Sequence, residues 1–321
     1  MTPSKDPQAL SRDILQAFVN VNGRHAGFRP AHAKGILLAG VFTPSSGGMA
    51  LTRAPHLQRP STPVTVRFSD FAGVPTIPDN DPHASPRGMA IRFHLAEHVH
   101  TDIVAHSANG FPARTAEEFL EFLRALGASG PDAQKPTPIE QYLGSHPAAL
   151  KFVQMPKPFP TSYATETYFA VNAYRFINAA GTARFGRYRI VPETDGSYLS
   201  EEDAAGKSPD YLQNEIVDRL ENGTAGFRIQ VQLAEEGDIT DDSTVDWPEG
   251  REKVELGAIQ LIGVVPDSEA AQRHIIFDPI PRTEGIEPSA DPLLQPRADV
   301  YLMSGRERRA AGQTRSSSVS G

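Results

Sequence analysis

Three basic side chains stand within six residues near the start of the chain: Arg29, His32 and Lys34. An apolar run over residues 36–42 follows directly and is typical of a buried β-strand. A histidine leading into such a strand is held rigidly and partly desolvated, as a catalytic imidazole needs. His32 is therefore a candidate acid/base residue, with a purely structural histidine as the alternative. We assign no chemical role to Lys34.

A second pair that could do chemistry lies near the other end of the chain, where Arg297 and Tyr301 are four residues apart. Ser289 or Asp291, followed by Pro292, predicts the start of a helix, and residues i and i+4 of a helix share a face. A guanidinium beside a phenol stabilises the phenolate, which is a good ligand for ferric haem. For an isolated pair of this kind, the alternative is a stacking contact at the surface.

The segment 64–69 alternates as a β-strand does, which gives it an apolar and a polar face. Val64, Val66 and Phe68 share the first face, and Thr65, Arg67 and Ser69 share the second. An arginine and a serine on one face can line a polar pocket. The alternative is an outer face in contact with water.

The composition excludes several kinds of site and partner. The 321 residues include no cysteine, which excludes disulfides, iron–sulfur clusters, thiolate zinc sites and cysteine nucleophiles. The net charge of −8 argues against a general nucleic-acid binder, which would usually be basic. No stretch approaches about 18 consecutive apolar residues, and no apolar targeting segment follows the polar N-terminus. We therefore expect a cytoplasmic protein without a membrane span.

The remaining pattern predicts an α+β fold with a largely antiparallel barrel or sandwich and added helices. The predicted strands cover residues 36–42, 64–69, 89–94, 101–104, 168–177, 183–191, 227–233 and 255–265. Helices are predicted near residues 10–18, over 115–127, and over 208–223 with Ser208 as N-cap. We divide the chain into an N-terminal helical segment (1–19), one domain (20–310) and a disordered C-terminal tail (311–321).

Five motifs in order along the chain resemble those of the haem catalases, and most closely the short catalase-related peroxidases. They are Arg29-x-x-His32-Ala33-Lys34-Gly35, Val66-Arg67-Phe68-Ser69, Pro86-Arg87-Gly88-Met89-Ala90-Ile91-Arg92-Phe93, Asp102-Ile103-Val104 and Arg297-Ala298-Asp299-Val300-Tyr301. The resemblance covers roughly residues 20 to 309. It implies a catalase-type antiparallel β-barrel core and haem b (iron protoporphyrin IX) as the cofactor.

The resemblance also implies a role for each matching residue. Tyr301 is similar to the proximal ligand that binds Fe(III) as phenolate, with Arg297 stabilising its charge. His32 is similar to the distal acid/base, and Ser69 to the serine that hydrogen-bonds it. The positions that pair with the haem propionates match Arg29, Arg67 and Arg308. On this reading the polar face of residues 64–69 lines a pocket.

One part of the pattern departs from the family. The resemblance implies a distal asparagine from an Asn-Asn pair in the loop after Asp102, but a gapless alignment places His106 and Ser107 there. Asn109 follows two residues later and is our candidate for the distal amide after a small shift. Ser107 is the competing candidate.

The activity that the resemblance implies is a haem peroxidase that reduces H2O2 or organic hydroperoxides with a small organic electron donor. We expect weak or residual catalase activity. We also expect a wide channel and a homodimer, because the long N-terminal arm of full-length catalases has no counterpart in this sequence. The alternatives are a haem isomerase or dehydratase acting on fatty-acid hydroperoxides, and a non-catalytic haem carrier.

Overall fold

The structure, a computed structural model, describes the backbone of residues 7–317 and the side chains of residues 8–311. The helices in this range are α1 (Pro7–Asn22), α2 (Ser46–Leu51), α3 (Ala116–Gly127), α4 (Pro138–Ser145), α5 (Pro147–Gln154), α6 (Glu201–Ala205), α7 (Tyr211–Glu221), α8 (Ser268–His274) and α9 (Leu294–Ser317). The strands are β1 (Gly35–Pro44), β2 (Thr62–Ser69), β3 (Gly88–Ala96), β4 (Val99–His106), β5 (Phe159–Pro160), β6 (Tyr168–Phe169), β7 (Tyr174–Ile177), β8 (Ala183–Pro192), β9 (Tyr198–Leu199), β10 (Ala225–Leu233), β11 (Lys253–Val264) and β12 (Ile286–Pro288). Among the described residues, we find no helix with the length and apolar character that crossing a membrane requires.

Eight of the strands form a closed antiparallel barrel. In order of pairing they are β10, β11, β1, β2, β3, β4, β6 and β8, and β8 pairs in turn with β10. The strands β7 and β12 extend the sheet beyond β8, while β5 and β9 pair separately. The prediction of an α+β fold with an antiparallel barrel core is therefore confirmed.

The two faces of β2 show how the barrel wall divides the molecule. Val64, Val66 and Phe68 belong to the apolar core inside the barrel, as the alternation predicts. Arg67 and Ser69 lie on the opposite face and are nevertheless buried. This face is covered because α8 packs on β1 and α9 packs on α8. The polar side chains of β2 therefore lie between the barrel and a layer of helices, away from bulk water.

A second, smaller core holds the helical layer together. It joins Ile14 of α1, Leu120 of α3 and Val300 of α9 with their apolar neighbours. The helix α1 extends to Asn22, beyond the boundary predicted at residue 19. Since α9 carries Arg297, Tyr301 and the arginines after them, this core fixes one wall of the candidate site.

Three further elements differ clearly from their predicted extents. The predicted strand 168–177 is split into β6 and β7, and the residues between them place Asn172 beside Arg297. The helix α7 begins at Tyr211 rather than after Ser208, because the residues before it bind Lys34. The helix α9 continues to Ser317, so residues 311–317 are helical where the composition predicted disorder, since the helix-forming run before them carries the helix onward. Residues 318–321 of the predicted tail lie outside the described residues.

Lys34 has a structural role that the sequence did not indicate. Its buried ammonium group forms ion pairs with Asp79 at 2.6 Å and Asp210 at 2.8 Å, and it donates to the carbonyl of Pro209 at 2.9 Å. The other carboxylate oxygen of Asp79 accepts the backbone N–H of Leu212 at 2.7 Å. These contacts connect the residue before β1 to the start of α7, and they fix the segment that carries His32.

Candidate functional site

His32 lies in the turn before β1 with a left-handed backbone, at a φ of 55°. This conformation is uncommon for a residue with a side chain and costs roughly 1–3 kcal/mol. Two hydrogen bonds hold it, since the His32 N–H donates to the carbonyl of Phe71 at 2.8 Å and the Arg67 guanidinium donates to the His32 carbonyl at 2.9 Å. The surrounding structure thus fixes His32 in a strained position, as is common at functional sites.

The imidazole of His32 is held from three sides. Its Nδ1 is 3.1 Å from the hydroxyl of Ser69, and its ring meets Phe71 edge-on with centroids 5.3 Å apart. A Cβ on Gly88 would lie 2.8 Å from Nδ1, so only glycine leaves room for the ring there. Because Ser69 engages Nδ1, Nε2 is the ring atom that remains available to a substrate.

The environment keeps the His32 imidazole neutral. Burial, and then the positive charges of Arg67 and other neighbours, lower the pKa of His32 from 6.5 to about 3. The ring lies deep beneath the molecular surface and yet retains some accessible surface, from which we infer that it lines a cavity. A neutral imidazole with a free Nε2 is able to take a proton from a bound molecule at neutral pH.

Three arginines from distant segments converge near the C-terminal end of α8. Arg29 and Arg308 both donate to the carbonyl of Ile275, at 3.1 and 2.9 Å. Arg67 donates through Nε to the side-chain oxygen of Gln272 at 2.8 Å, and Arg29 donates to the backbone carbonyl of the same residue at 3.3 Å. The chain therefore gathers three guanidinium groups around one short helix.

No carboxylate of the described residues pairs with these three guanidinium groups. Burial and then the charge of Arg308 lower the pKa of Arg67 to about 9, and burial and then the charges of Arg67 and Arg308 lower the pKa of Arg29. The Nε of Arg308 is buried and has no hydrogen-bond partner among residues 8–311. Since buried cations are costly unless paired, the cluster suits a ligand with two carboxylates, as the propionates of haem would provide.

Tyr301 and Arg297 lie on one face of α9, close enough to His32 for the charge of Arg297 to lower its pKa. The Arg297 guanidinium lies 3.5 Å from the Tyr301 hydroxyl and also donates to the side-chain oxygen of Asn172. The amide of Asn172 donates in turn to Asp291 at 2.7 Å. Burial acts to lower the pKa of Arg297, but Tyr301 and Tyr174 outweigh it and raise the pKa above its usual value. The charged guanidinium therefore lies beside the Tyr301 oxygen, the atom that would bind a metal.

The loop after β4 carries the candidates for the distal polar group. Asn109 is half-buried, and its side chain makes no hydrogen bond to a described residue. The hydroxyl of Ser107 accepts the backbone N–H of Arg87 at 2.9 Å. His106, the last residue of β4, lies across from Gly88 in the sheet and is electrostatically coupled to His32.

The structure thus brings most of the predicted residues into one region, and it adds others. Arg29, His32, Arg67, Ser69, Arg297, Tyr301 and Arg308 are connected through hydrogen bonds and charge interactions where the barrel meets the helical layer. Sequence reasoning missed Asn172, Gln272 and the positioning role of Gly88. The signal for Asn172 was a polar residue inside an apolar stretch, whereas Gln272 lies on a short helix with no comparable signal.

Both a family model and individual proteins of known sequence match most of this chain. The family model described as Catalase matches residues 13–315. A protein of Mycolicibacterium paratuberculosis named "Catalase-related peroxidase" is 36% identical over 297 residues, which cover 92% of this chain and 93% of that protein. A "Catalase-related peroxidase" of Synechococcus elongatus is 29% identical over 299 residues and covers 92% of this chain and 87% of its own length.

Solved structures share the fold. A fungal catalase crystal structure superposes with a TM-score of 0.79 at 22% identity, covering 89% of this chain, and a bacterial catalase does so with a TM-score of 0.77 at 23% identity. This chain spans about 60% of the length of the fungal catalase and 58% of the bacterial one. The likeness to these larger proteins concerns the barrel and its helices.

Proposed function

The chain belongs to the catalase family, and we propose that it reduces H2O2 or organic hydroperoxides with electrons from a small organic donor. The matching family and the catalase-related peroxidases make it a haem peroxidase, an oxidoreductase acting on peroxide. The use of an organic donor, with only weak catalase activity, is the specific part of the proposal. Haem b as the cofactor, a cytoplasmic location and a homodimer belong to the same proposal.

The observation that carries the proposal is the pairing of two unlike walls around one cavity. One wall offers a phenol held beside a charged guanidinium, Tyr301 and Arg297. The other offers the neutral imidazole of His32 and buried arginines that pair with no described carboxylate. A flat cofactor with an iron centre and two carboxylates satisfies both sets of groups at once. Haem would be held by the Tyr301 oxygen and by Arg29, Arg67 and Arg308, and when bound it supplies the redox centre of the reaction.

His32 moves the proton that cleavage of the peroxide requires. Its free Nε2 takes the proton from one peroxide oxygen and returns it to the other, which leaves with the electron pair of the O–O bond as water. Nδ1 stays engaged with Ser69, so the ring keeps its orientation during the transfer. Over a full turnover, two electrons and two protons from the donor balance the conversion of one H2O2 into two waters.

The proposal is tested by spectroscopy and turnover on the purified protein supplied with haem. We expect a high-spin ferric spectrum with a phenolate charge-transfer band, a spectral change on adding peroxide, and faster oxidation of guaiacol than evolution of O2. Tyr301→Phe should lose or greatly weaken haem retention. His32→Ala should retain haem but lose peroxide cleavage by a factor of ~10²–10⁴.

Each competing function gives a different result in the same assays. An isomerase would consume a fatty-acid hydroperoxide without any electron donor, and a carrier would bind haem without turning peroxide over. A protein that takes up no haem would refute the proposal, and a fully active His32→Ala variant would refute the distal assignment.

A further inference from the structure

We propose that His106 is a second distal residue, whose Nε2–H donates a hydrogen bond to the peroxide that His32 deprotonates. This inference rests on the proposed peroxidase function. It assigns to an imidazole the place for which the sequence suggested Asn109 or Ser107. Three independent features of the structure support it: the register of the strands, the hydrogen bond at the ring, and the electrostatics of the cavity.

The register of the barrel places His106 on the wall that carries the His32 partners. Gly35, Ser69, Gly88 and His106 are aligned as direct neighbours across β1, β2, β3 and β4. Directly paired residues of adjacent strands project to the same face of a sheet. Ser69 faces His32, and a Cβ on Gly88 would point at both. Gly88, which lies between Ser69 and His106 in this row, contributes no side chain that would separate His106 from the His32 imidazole.

The hydrogen bond at the His106 ring determines which nitrogen can act as a donor. The backbone N–H of Ala108 donates to Nδ1 at 3.3 Å, so Nδ1 serves as an acceptor. A neutral imidazole that accepts at Nδ1 carries its proton on Nε2. Nε2 has no partner among the described residues, and the edge of Phe152, with centroids 6.5 Å apart, supports the ring from the side. The free N–H is thus available to a ligand in the cavity.

The electrostatics agree with a position of His106 close to His32. The charge of Arg297 on α9 lowers the pKa of both imidazoles, and the charge of His106 lowers that of His32. Burial is the largest cause in each case and brings the pKa of His106 to about 4. At neutral pH both rings are neutral, which allows one to accept a proton while the other only donates a hydrogen bond.

The competing residues are placed less favourably for this role. Ser107 is bound to Arg87 through both its backbone and its hydroxyl, at 2.8 and 2.9 Å, which holds its side chain against the chain before β3. Asn109 lies three residues beyond the end of β4, outside the aligned row. His106 alone of the three occupies a strand position that faces the Ser69 and Gly88 pair.

The experiment compares variants in the haem-loaded protein by two readouts, fluoride affinity of the ferric state and the rate of reaction with H2O2. Fluoride bound to ferric haem is stabilised by a distal hydrogen-bond donor, so its affinity reports the donor without any turnover. His106→Leu should weaken fluoride binding by about tenfold, the value of one net hydrogen bond, and slow the reaction with H2O2. His106→Gln, which can present an N–H at a similar distance, should stay within about threefold of wild type. His94→Leu, on the neighbouring strand and away from the cavity, is the matched control.

The outcomes separate this inference from the proposed function. Loss of fluoride affinity in His106→Leu with recovery in His106→Gln supports the assignment. Unchanged affinity and rate in His106→Leu, or the same loss in Asn109→Leu or Ser107→Ala instead, overturns it while leaving the peroxidase activity standing. If His106→Leu folds poorly, His106→Gln still tests the proposal. A fall in its rate of reaction with H2O2 as large as that in His32→Ala would contradict a role for His106 as a hydrogen-bond donor alone. A wild-type protein that reacts with no peroxide would refute the proposed function itself.

Discussion

The imidazole of His32 occupies the space that a side chain at Gly88 would need. A Cβ on Gly88 would lie 2.8 Å from Nδ1 of His32 and 2.5 Å from the hydroxyl of Ser69, both far inside van der Waals contact. The φ of Gly88 is not in the left-handed region, so the glycine is required for space rather than for backbone freedom. The pair shows that the position of the proposed base depends on a residue that has no chemical group of its own.

Gly88→Ala should therefore impair catalysis while leaving haem binding intact. The added methyl group would push His32 and Ser69 apart and break their hydrogen bond, so we expect the rate of reaction with H2O2 to fall by about tenfold or more. Stopped-flow absorption measures this rate, and the ferric spectrum measures haem content. Gly263→Ala is the matched control, because a Cβ there meets nothing within 4 Å. Wild-type kinetics in Gly88→Ala would show that the ring can shift without consequence.

Arg308→Met should weaken haem binding without destabilising the haem-free protein. The charge of Arg308 lowers the pKa of both Arg29 and Arg67, so its removal relieves repulsion between buried cations. The carbonyl of Ile275 keeps a donor in the variant, because Arg29 also binds it. We expect an equal or higher midpoint of urea unfolding for the apoprotein and a haem dissociation constant raised by about tenfold or more.

The neighbouring Arg309 provides the control for this experiment. It is exposed, and within the described part of the chain it donates only to the carbonyl of His274. Arg309→Met should leave haem titration unchanged. Equal loss of haem affinity in both variants would indicate a general effect of charge on α9, and would contradict a specific contact of Arg308 with the cofactor.

Asn172→Leu should disturb the proximal side through Arg297. The buried amide of Asn172 accepts from Arg297 and donates to Asp291, so leucine would leave two polar groups without their partner. We expect the free energy of unfolding to fall by about 1–3 kcal/mol and the phenolate charge-transfer band to shift as Arg297 moves from Tyr301. Absorption spectra and urea titrations measure the two effects. A variant with unchanged stability and an unchanged band would rule out this positioning role, and the exposed Asn222→Leu serves as the control.

Acid should destabilise the protein partly through His56, a buried histidine outside the site. Burial, and then the charge of Arg59, lower the pKa of His56 from 6.5 to about 4. Between these values the unfolded chain binds a proton that the folded chain does not, so stability falls as the pH drops from about 6.5 to 4. His56→Leu should reduce this slope by up to about 1.4 kcal/mol per pH unit. Urea titrations at several pH values test this, with a substitution of the exposed His83, His83→Leu, as control. The same slope of unfolding free energy against pH in His56→Leu and wild type would contradict the prediction.

The sequence predicted the parts of this molecule that local pattern controls. The alternation of residues 64–69 identified the two faces of β2, and the spacing of Arg297 and Tyr301 placed both on one face of a helix. These features depend on neighbours a few residues away, so they can be predicted from the sequence alone. The resemblance supplied the connection between the two ends of the chain, which no local pattern contains.

What could not be predicted depends on contacts between distant segments. The helix start at Tyr211 is set by Lys34, which lies far away in the sequence, and this contact overrides the favourable Ser-Pro signal at residue 208. The distal loop shows the same limit, because the alignment of His106 with Gly88 is a property of strand register. The sequence favoured Asn109 by its residue type, whereas the proposal of His106 rests on the register of the paired strands.

The closure of the barrel gives the cavity a protection that an open sheet would lack. A slip of one residue between two strands would turn every side chain of the shifted strand to the opposite face, so Ser69 or His106 would face the apolar interior. In an open sheet an edge strand can change its pairing, but here β8 and β10 join the ends and each barrel strand is paired on both sides. The hydrogen-bond register of the closed barrel thus fixes the relative positions of the proposed base, His32, and the proposed donor, His106.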